Sequence, residues 1–179
     1  MIEKIFISAN ELLADSHRLG RLILKDGFRP DYIVGLWRGG APVGIAVQEL
    51  LAYNGVITDH ISIRTSSYTG IGQQGDEVYV HGLHYIIENA NADDGLLIID
   101  DTFDSGRSVK AVIDEIVNLS RANTPKIIKV ATVYYKPTQR TVDFEPDYFI
   151  HQTDKWVVFP HELQDLSEDE IAKYKPSAV

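Results

Sequence analysis

Nine consecutive residues, Asp100-Asp101-Thr102-Phe103-Asp104-Ser105-Gly106-Arg107-Ser108, gather three carboxylates, three hydroxyls, an arginine and a glycine behind the apolar run Leu96-Leu97-Ile98-Ile99. An apolar run of that kind is expected to be a buried strand that delivers its acids to one end of a sheet. The turn through Ser105 and Gly106 then feeds a helix. Free backbone amides and the dipole at a helix start attract anions, and the hydroxyls of Ser105 and Ser108 can add donors. Gly106 allows a phosphate to approach the backbone closely. Carboxylates beside an anion site would repel the ligand unless they served another part of it. Asp100 and Asp101 suit sugar hydroxyls, or water on a Mg²⁺ ion. A strand whose polar end reaches solvent and caps a helix accounts for one aspartate but not for three. The spacing is no Walker A loop, because the Gly-Lys-Ser/Thr ending is absent.

Two other segments carry chemistry that is weaker taken singly. Gly35-Leu36-Trp37-Arg38-Gly39-Gly40 ends another apolar run with two glycines and a cation. It could turn amides toward an anion, although Gly-Gly after a strand is more often a plain tight turn. Lys136 closes the run Val133-Tyr134-Tyr135, and Trp156-Val157-Val158-Phe159-Pro160-His161-Glu162 begins twenty residues further on. An ammonium suits the electron-rich edge of a heterocycle, and an indole face suits its plane. Each alone reads more simply as a snorkelling lysine and a half-buried tryptophan. His161 fits a supporting role better than catalysis. His81, His84 and His151 lack the spacing of metal ligands.

The elements that must position these groups alternate between strand and helix. Ile5-Phe6-Ile7 reads as a short strand, and Ser8-Ala9-Asn10-Glu11 has the spacing of a capping box. Leu12, Leu13, Ser16, Leu19, Leu22 and Ile23 then follow helical periodicity as far as Gly27. Tyr32 to Trp37 is a strand, and Pro42 sits in the first turn of a helix predicted to run to about Ala52. Ile61 to Thr65 alternates like a strand. Ser66 to Gly75 is expected to be a mobile loop. Ser108 to Leu119 reads as a helix, and Ile127 to Tyr135, Tyr148 to Ile150 and Trp156 to Phe159 as strands. A second capping box, Ser167-Glu168-Asp169-Glu170, starts a solvated helix. This order predicts one α/β domain with a largely parallel sheet, whose ligands bind beyond the carboxyl ends of its strands.

Composition limits the partners. A formal charge of -9 over 179 residues argues against a general nucleic-acid binder. With no cysteine, disulfides and thiolate metal sites are ruled out. No apolar run approaches the ~20 residues of a membrane span, and the first residues do not resemble a secretory signal. Cytoplasmic residence is the expectation.

The segment from Leu97 to Ser108 resembles the signature with which type I phosphoribosyltransferases bind 5-phosphoribosyl-1-pyrophosphate (PRPP). Thr102 and Phe103 depart from it, standing where aliphatic residues are commoner. The likeness spans roughly residues 30 to 162, and the site assignments that follow are what it implies. Asp100 and Asp101 would contact the ribose hydroxyls. Residues 104 to 108 (Asp104, Ser105, Gly106, Arg107 and Ser108), with Thr102, would surround the 5′-phosphate, Asp104 also serving as the acid beside the base. Arg38, Gly39 and Gly40 would form the pyrophosphate loop, its first peptide bond, Trp37-Arg38, cis. Arg38 and Asp104 would be the catalytic pair. Ser67 and Tyr68 fall where the family carries a flap over the site. Lys136 would read the purine O6 and N7, Trp156 would stack on the ring, and the Val157 backbone would read its exocyclic groups. A Mg²⁺ ion would lie among Asp100, Asp101 and Glu162.

The same resemblance implies a core at about 28–150, with a small hood of residues 1–10 and 151–179 from the two ends of the chain. It also implies a homodimer or homotetramer whose substrates are PRPP and a 6-oxopurine. Enteric xanthine–guanine enzymes carry an acid two residues after the stacking tryptophan. Val158 stands there in this chain, which favours hypoxanthine and guanine. The alternatives are a PRPP-binding regulator without catalysis and a transferase for another base.

Overall fold

Local signals set most element boundaries in the computed structural model. It describes residues 3–70 and 73–178, with only the backbone described at 67–70 and 73–77. The chain runs β1 (Lys4–Phe6), α1 (Ala9–Asp26), β2 (Tyr32–Trp37), α2 (Gly40–Tyr53), β3 (Asp59–Gly70), β4 (Gln73–His81) and α3 (His84–Asn89). It continues through β5 (Gly95–Phe103), α4 (Arg107–Ser120), β6 (Ile127–Tyr135), β7 (Tyr148–Gln152), β8 (Trp156–Val158) and α5 (Glu168–Tyr174).

The capping box at α1 is complete. The Ser8 hydroxyl accepts the Glu11 N–H at 3.2 Å, and the Glu11 carboxylate accepts the Ser8 N–H at 2.8 Å. Gly27 ends the helix with φ of 83°, a left-handed stop that costs glycine little. The buried face of α1 packs on α2, where a Cβ on Gly20 would stand 2.6 Å from Leu50 Cδ2.

Six strands form one sheet in the order β4-β3-β2-β5-β6-β7. All neighbours are parallel except β3 and β4. The run Leu96 to Ile99 is fully buried in the centre of β5, as a strand covered on both faces must be. One core layer, including Leu19, Ile23, Val47 and Leu97, lies beneath α1 and α2. The other, including Ile86, Ile98, Val112 and Ile116, lies beneath α3 and α4. β1 and β8 pair in parallel as a separate two-stranded sheet, Lys4 opposite Trp156 and Phe6 opposite Val158. α5 docks there through a Lys4–Glu170 ion pair of 2.8 Å and a Phe6–Tyr174 stack with centroids 3.8 Å apart.

One expectation is corrected. The segment Ser66 to Gly75, read as a loop, lies largely in the antiparallel β3–β4 hairpin, with a register shift between Ser67 and Thr69. Its glycines and polar residues hid the pairing, which β4 supplies from the other side with Val78, Tyr79 and Val80. No helix among the described residues is long and apolar enough to cross a membrane.

Candidate active site

The carboxyl end of β5 projects its acids against the loop that follows β2. Gly39 is pressed so closely on Asp101 that a Cβ there would lie 1.8 Å from Asp101 Oδ2, and one on Gly40 would lie 2.3 Å from the Ile99 carbonyl oxygen. Two glycines are therefore a steric requirement of this contact. The Trp37–Arg38 peptide bond is cis.

Burial and neighbouring negative charge hold both acids above the ordinary aspartate range. Asp101 is pushed up to about 6, first by burial and then by the negative charge of Glu162, while its hydrogen bond with Asp100 opposes the shift. Asp100 is raised well above its usual value by burial and by the Asp101 charge, with the Gly40 N–H pulling the other way. His161 places Nε2 at 3.7 Å from Asp101 Oδ2. Burial lowers its pKa, Glu162 pulls the other way, and the charges of Arg38 and Lys175 add to the lowering.

Beyond the acids the chain makes the expected turn. Gly106 has φ of 79°, and a Cβ on it would sit 2.6 Å from Phe103 Cζ and 2.5 Å from Val142 Cγ2. Conformation and space both demand glycine here. The Ser105 hydroxyl accepts the Arg107 N–H at 3.4 Å, and the Thr141 N–H ties down the Ser105 carbonyl at 3.0 Å. Asp100, Thr102, Asp104, Ser105, Gly106 and Ser108 line a cavity of about 70 Å³. That volume suits one tetrahedral oxyanion held by the start of α4. Thr102 Oγ1 is buried without a hydrogen-bond partner among the described residues.

Lys136 links this turn to the indole. Its N–H donates to the Phe103 carbonyl at 2.9 Å, its Nζ lies 3.1 Å from Asp104 Oδ2, and the same Nζ sits 5.5 Å from the Trp156 ring centroid. The lysine is 7% exposed and Trp156 is 49% exposed, so the ammonium is walled in while the indole remains open to stack on a planar ligand. Val157 is buried beside it. Glu162 closes a turn on Phe159: the Phe159 N–H donates to Glu162 Oε2 at 3.0 Å, and the Glu162 N–H to the Phe159 carbonyl at 3.1 Å.

Asp100, Asp101, Asp104, Lys136, Trp156 and Glu162 are thus brought to one end of the sheet from β5, β6 and β8. Ser67 and Tyr68 fall on β3, and their side chains lie outside the described residues. Among the described residues no three His, Cys, Asp or Glu side chains converge closely enough to hold a metal ion alone. Sequence reasoning missed the Lys136–Asp104 pair, which joins residues distant in the chain. It also missed Lys175, whose charge reaches His161 from a tail with no motif beyond its helix cap.

Desolvated carboxylates, a glycine-closed turn and an open indole lie together at the carboxyl end of a parallel sheet, where α/β enzymes place their ligand sites. The chain belongs to the phosphoribosyltransferase family: the model of the phosphoribosyl transferase domain matches residues 2–168. It is 30% identical over 149 residues to the hypoxanthine-guanine phosphoribosyltransferase of Lactococcus lactis, covering 82% of this chain and 75% of that one. It is 31% identical over 151 residues to the enzyme of that name from Streptococcus pyogenes, covering 82% and 77%. The fold is similar to the crystal structure of the purine phosphoribosyltransferase from Pyrococcus horikoshii, with a TM-score of 0.72, 25% identity, and coverage of 92% of this chain and 98% of that one.

Proposed function

We propose that this transferase moves the phosphoribosyl group of PRPP to a 6-oxopurine, hypoxanthine or guanine, giving the nucleoside 5′-monophosphate and pyrophosphate. The observation that carries this reading is the position of Lys136, between Asp104 of the oxyanion turn and the open face of Trp156. A purine stacked on the indole would meet this ammonium with its O6 and N7 edge. A 6-amino group, itself a donor, would face another donor there.

In this reading the turn from Asp104 to Ser108 holds the 5′-phosphate, with Thr102 in the same wall, and Asp100 and Asp101 accept from the ribose hydroxyls. Arg38 and the amides of Gly39 and Gly40 receive the charge that develops on the departing pyrophosphate, where fixed donors stabilise the transition state most. Asp104 takes the proton from the base as the new bond to C1 forms, and Lys136 keeps the base oriented. The Val157 backbone would read the exocyclic groups of the base. Ser67 and Tyr68, on the β3–β4 hairpin, are proposed to cover the site.

The acid pair fits a hard divalent cation, because its oxygens are desolvated and costly to ionise, a cost that a neighbouring cation would relieve. Asp100, Asp101 and Glu162 would flank a Mg²⁺ ion that reaches the site bound mainly to PRPP and water. When bound, that ion would neutralise charge on the leaving pyrophosphate.

The test is a panel of hypoxanthine, guanine, xanthine, adenine, uracil and orotate, each with PRPP and Mg²⁺, with nucleotide products separated by chromatography. Nucleotide from hypoxanthine or guanine is expected. Product from adenine or a pyrimidine alone would refute the base assignment, and PRPP binding without product from any base would make the chain a sensor.

A further inference from the structure

The family match ends at residue 168, yet the chain beyond it returns one side chain to the site. Lys175 follows α5 and is 7% exposed, an unusual place for a lysine unless its ammonium has a partner. Its Nζ donates to the carbonyl oxygen of Phe159. That oxygen also accepts the Glu162 N–H at 3.1 Å, while the Phe159 N–H donates to Glu162 Oε2 at 3.0 Å. The turn from Phe159 to Glu162 is therefore closed by two reciprocal bonds and fastened from outside by a third, from the tail. Burial holds the Lys175 ammonium below the ordinary lysine range, and the Glu162 carboxylate opposes that shift.

The backbone that carries this ammonium is held at several points. The Lys175 N–H closes α5 on the Ile171 carbonyl at 2.7 Å, and the helix is clamped to β1 by the Lys4–Glu170 pair and the Phe6–Tyr174 stack. β1 in turn pairs with β8, which carries Trp156, so the tail holds the segment from Trp156 to Glu162 at both ends. One end presents the indole, and the other presents the carboxylate whose charge is felt at Asp101.

We infer that Lys175 is a positioning residue of this enzyme, its ammonium fixing the Phe159–Glu162 turn and thereby the seat of the base on Trp156. This rests on the reading of the site as a purine phosphoribosyltransferase. It adds a residue outside the family-matched segment that acts through the turn and touches neither substrate.

Lys175→Met, which keeps the apolar stem and removes the charge, tests it in the full chain. Tyr174→Ala is the control, loosening the helix while leaving the ammonium in place. Initial rates with hypoxanthine or guanine, PRPP and Mg²⁺ give both KM values, and amide hydrogen exchange follows the turn independently of turnover. Loss of one charge-assisted bond to a site turn predicts about a tenfold rise in the base KM for Lys175→Met. The PRPP KM should stay within about twofold, and Tyr174→Ala, which loosens the helix but keeps the ammonium, should raise the base KM less than Lys175→Met does. Peptides covering 159–162 should lose protection in Lys175→Met while those covering 97–110 keep it.

An unchanged base KM in Lys175→Met would overturn the inference. So would base and PRPP KM values rising together in both variants, since Lys175 would then only anchor the helix. Where Lys175→Met does not fold, Lys175→Gln keeps an N–H donor without the charge. A base KM between wild type and tenfold higher supports the inference in that variant, and a wild-type value overturns it. Absence of turnover by the unmodified enzyme with every base would instead overturn the transferase reading, and this inference with it.

Discussion

Replacing Asp101 by Asn should make the protein more stable while crippling it. The Asp101 side chain is 15% exposed and its pKa is pushed from 3.8 to about 6 by burial and by Glu162. A carboxyl whose folded-state pKa is raised costs the fold stability when ionised. The full cost applies above pH 6, declines as the pH falls, and is gone below about pH 4. A shift of that size corresponds to about 3 kcal/mol. Relaxation and entry of water reduce this to roughly 1–2 kcal/mol, or a rise of roughly 3–6 °C in Tm for a chain of this length. Asn retains the oxygen that can accept from Asp100 and fits beside Gly39. The assay is thermal unfolding of both proteins in divalent-free buffer at pH 7.5 and at pH 4.5, followed by PRPP and Mg²⁺ titrations at the higher pH. Asp101→Asn should melt higher at pH 7.5, and the difference should shrink at pH 4.5. PRPP with Mg²⁺ should stabilise the wild type much more than the variant. A variant that melts lower than wild type at pH 7.5, or a difference that does not shrink with acid, would refute the reasoning.

Gly106→Ala should lower stability by about 2–4 kcal/mol, the sum of a left-handed conformation and overlap with Phe103 and Val142; thermal melts and the PRPP KM check it, and both should worsen together. Asp104→Asn should reduce kcat about a hundredfold or more with a much smaller change in PRPP affinity, and near-wild-type turnover would remove Asp104 from proton transfer. Because Asp104 lies 3.1 Å from Lys136 Nζ, Asp104→Asn and Lys136→Met should be non-additive. In a double-mutant cycle on kcat/KM the second change should cost less than it does alone.

The fold was legible wherever a local rule decides structure. The Ser8 and Ser167 capping boxes, the Gly27 stop and the buried run of β5 each appear where the sequence predicts them. Legibility failed where partners are distant. The β3–β4 hairpin looks like a polar loop until the two strands are paired, and β1 and β8 are separated by most of the chain before they meet. The turn from Asp104 to Ser108 could be read because its glycine, hydroxyls and acid are contiguous, so one stretch carries the whole local geometry. The Lys136–Asp104 pair and the Lys175 anchor could not be read, because each exists only once β6 or the tail has been folded against the site. A buried lysine in a polar, acid-rich tail leaves no periodic mark.

The charges of the site explain how a protein of net charge -9 can receive a ligand as anionic as PRPP. On the proposed reading, the 5′-phosphate is held by backbone amides at the start of α4 and by hydroxyls, which carry no net charge. At the acid pair the arrangement is opposite: burial and the Asp101 charge make Asp100 costly to ionise, and burial and the Glu162 charge do the same at Asp101. Free pyrophosphate would be repelled from such a pair, whereas a pyrophosphate already chelated to a divalent cation would be drawn in. On the proposed reading, the acid pair therefore discriminates in favour of metal-bound PRPP. The same desolvation that makes the ionised acids costly above pH 6 favours a cation beside them.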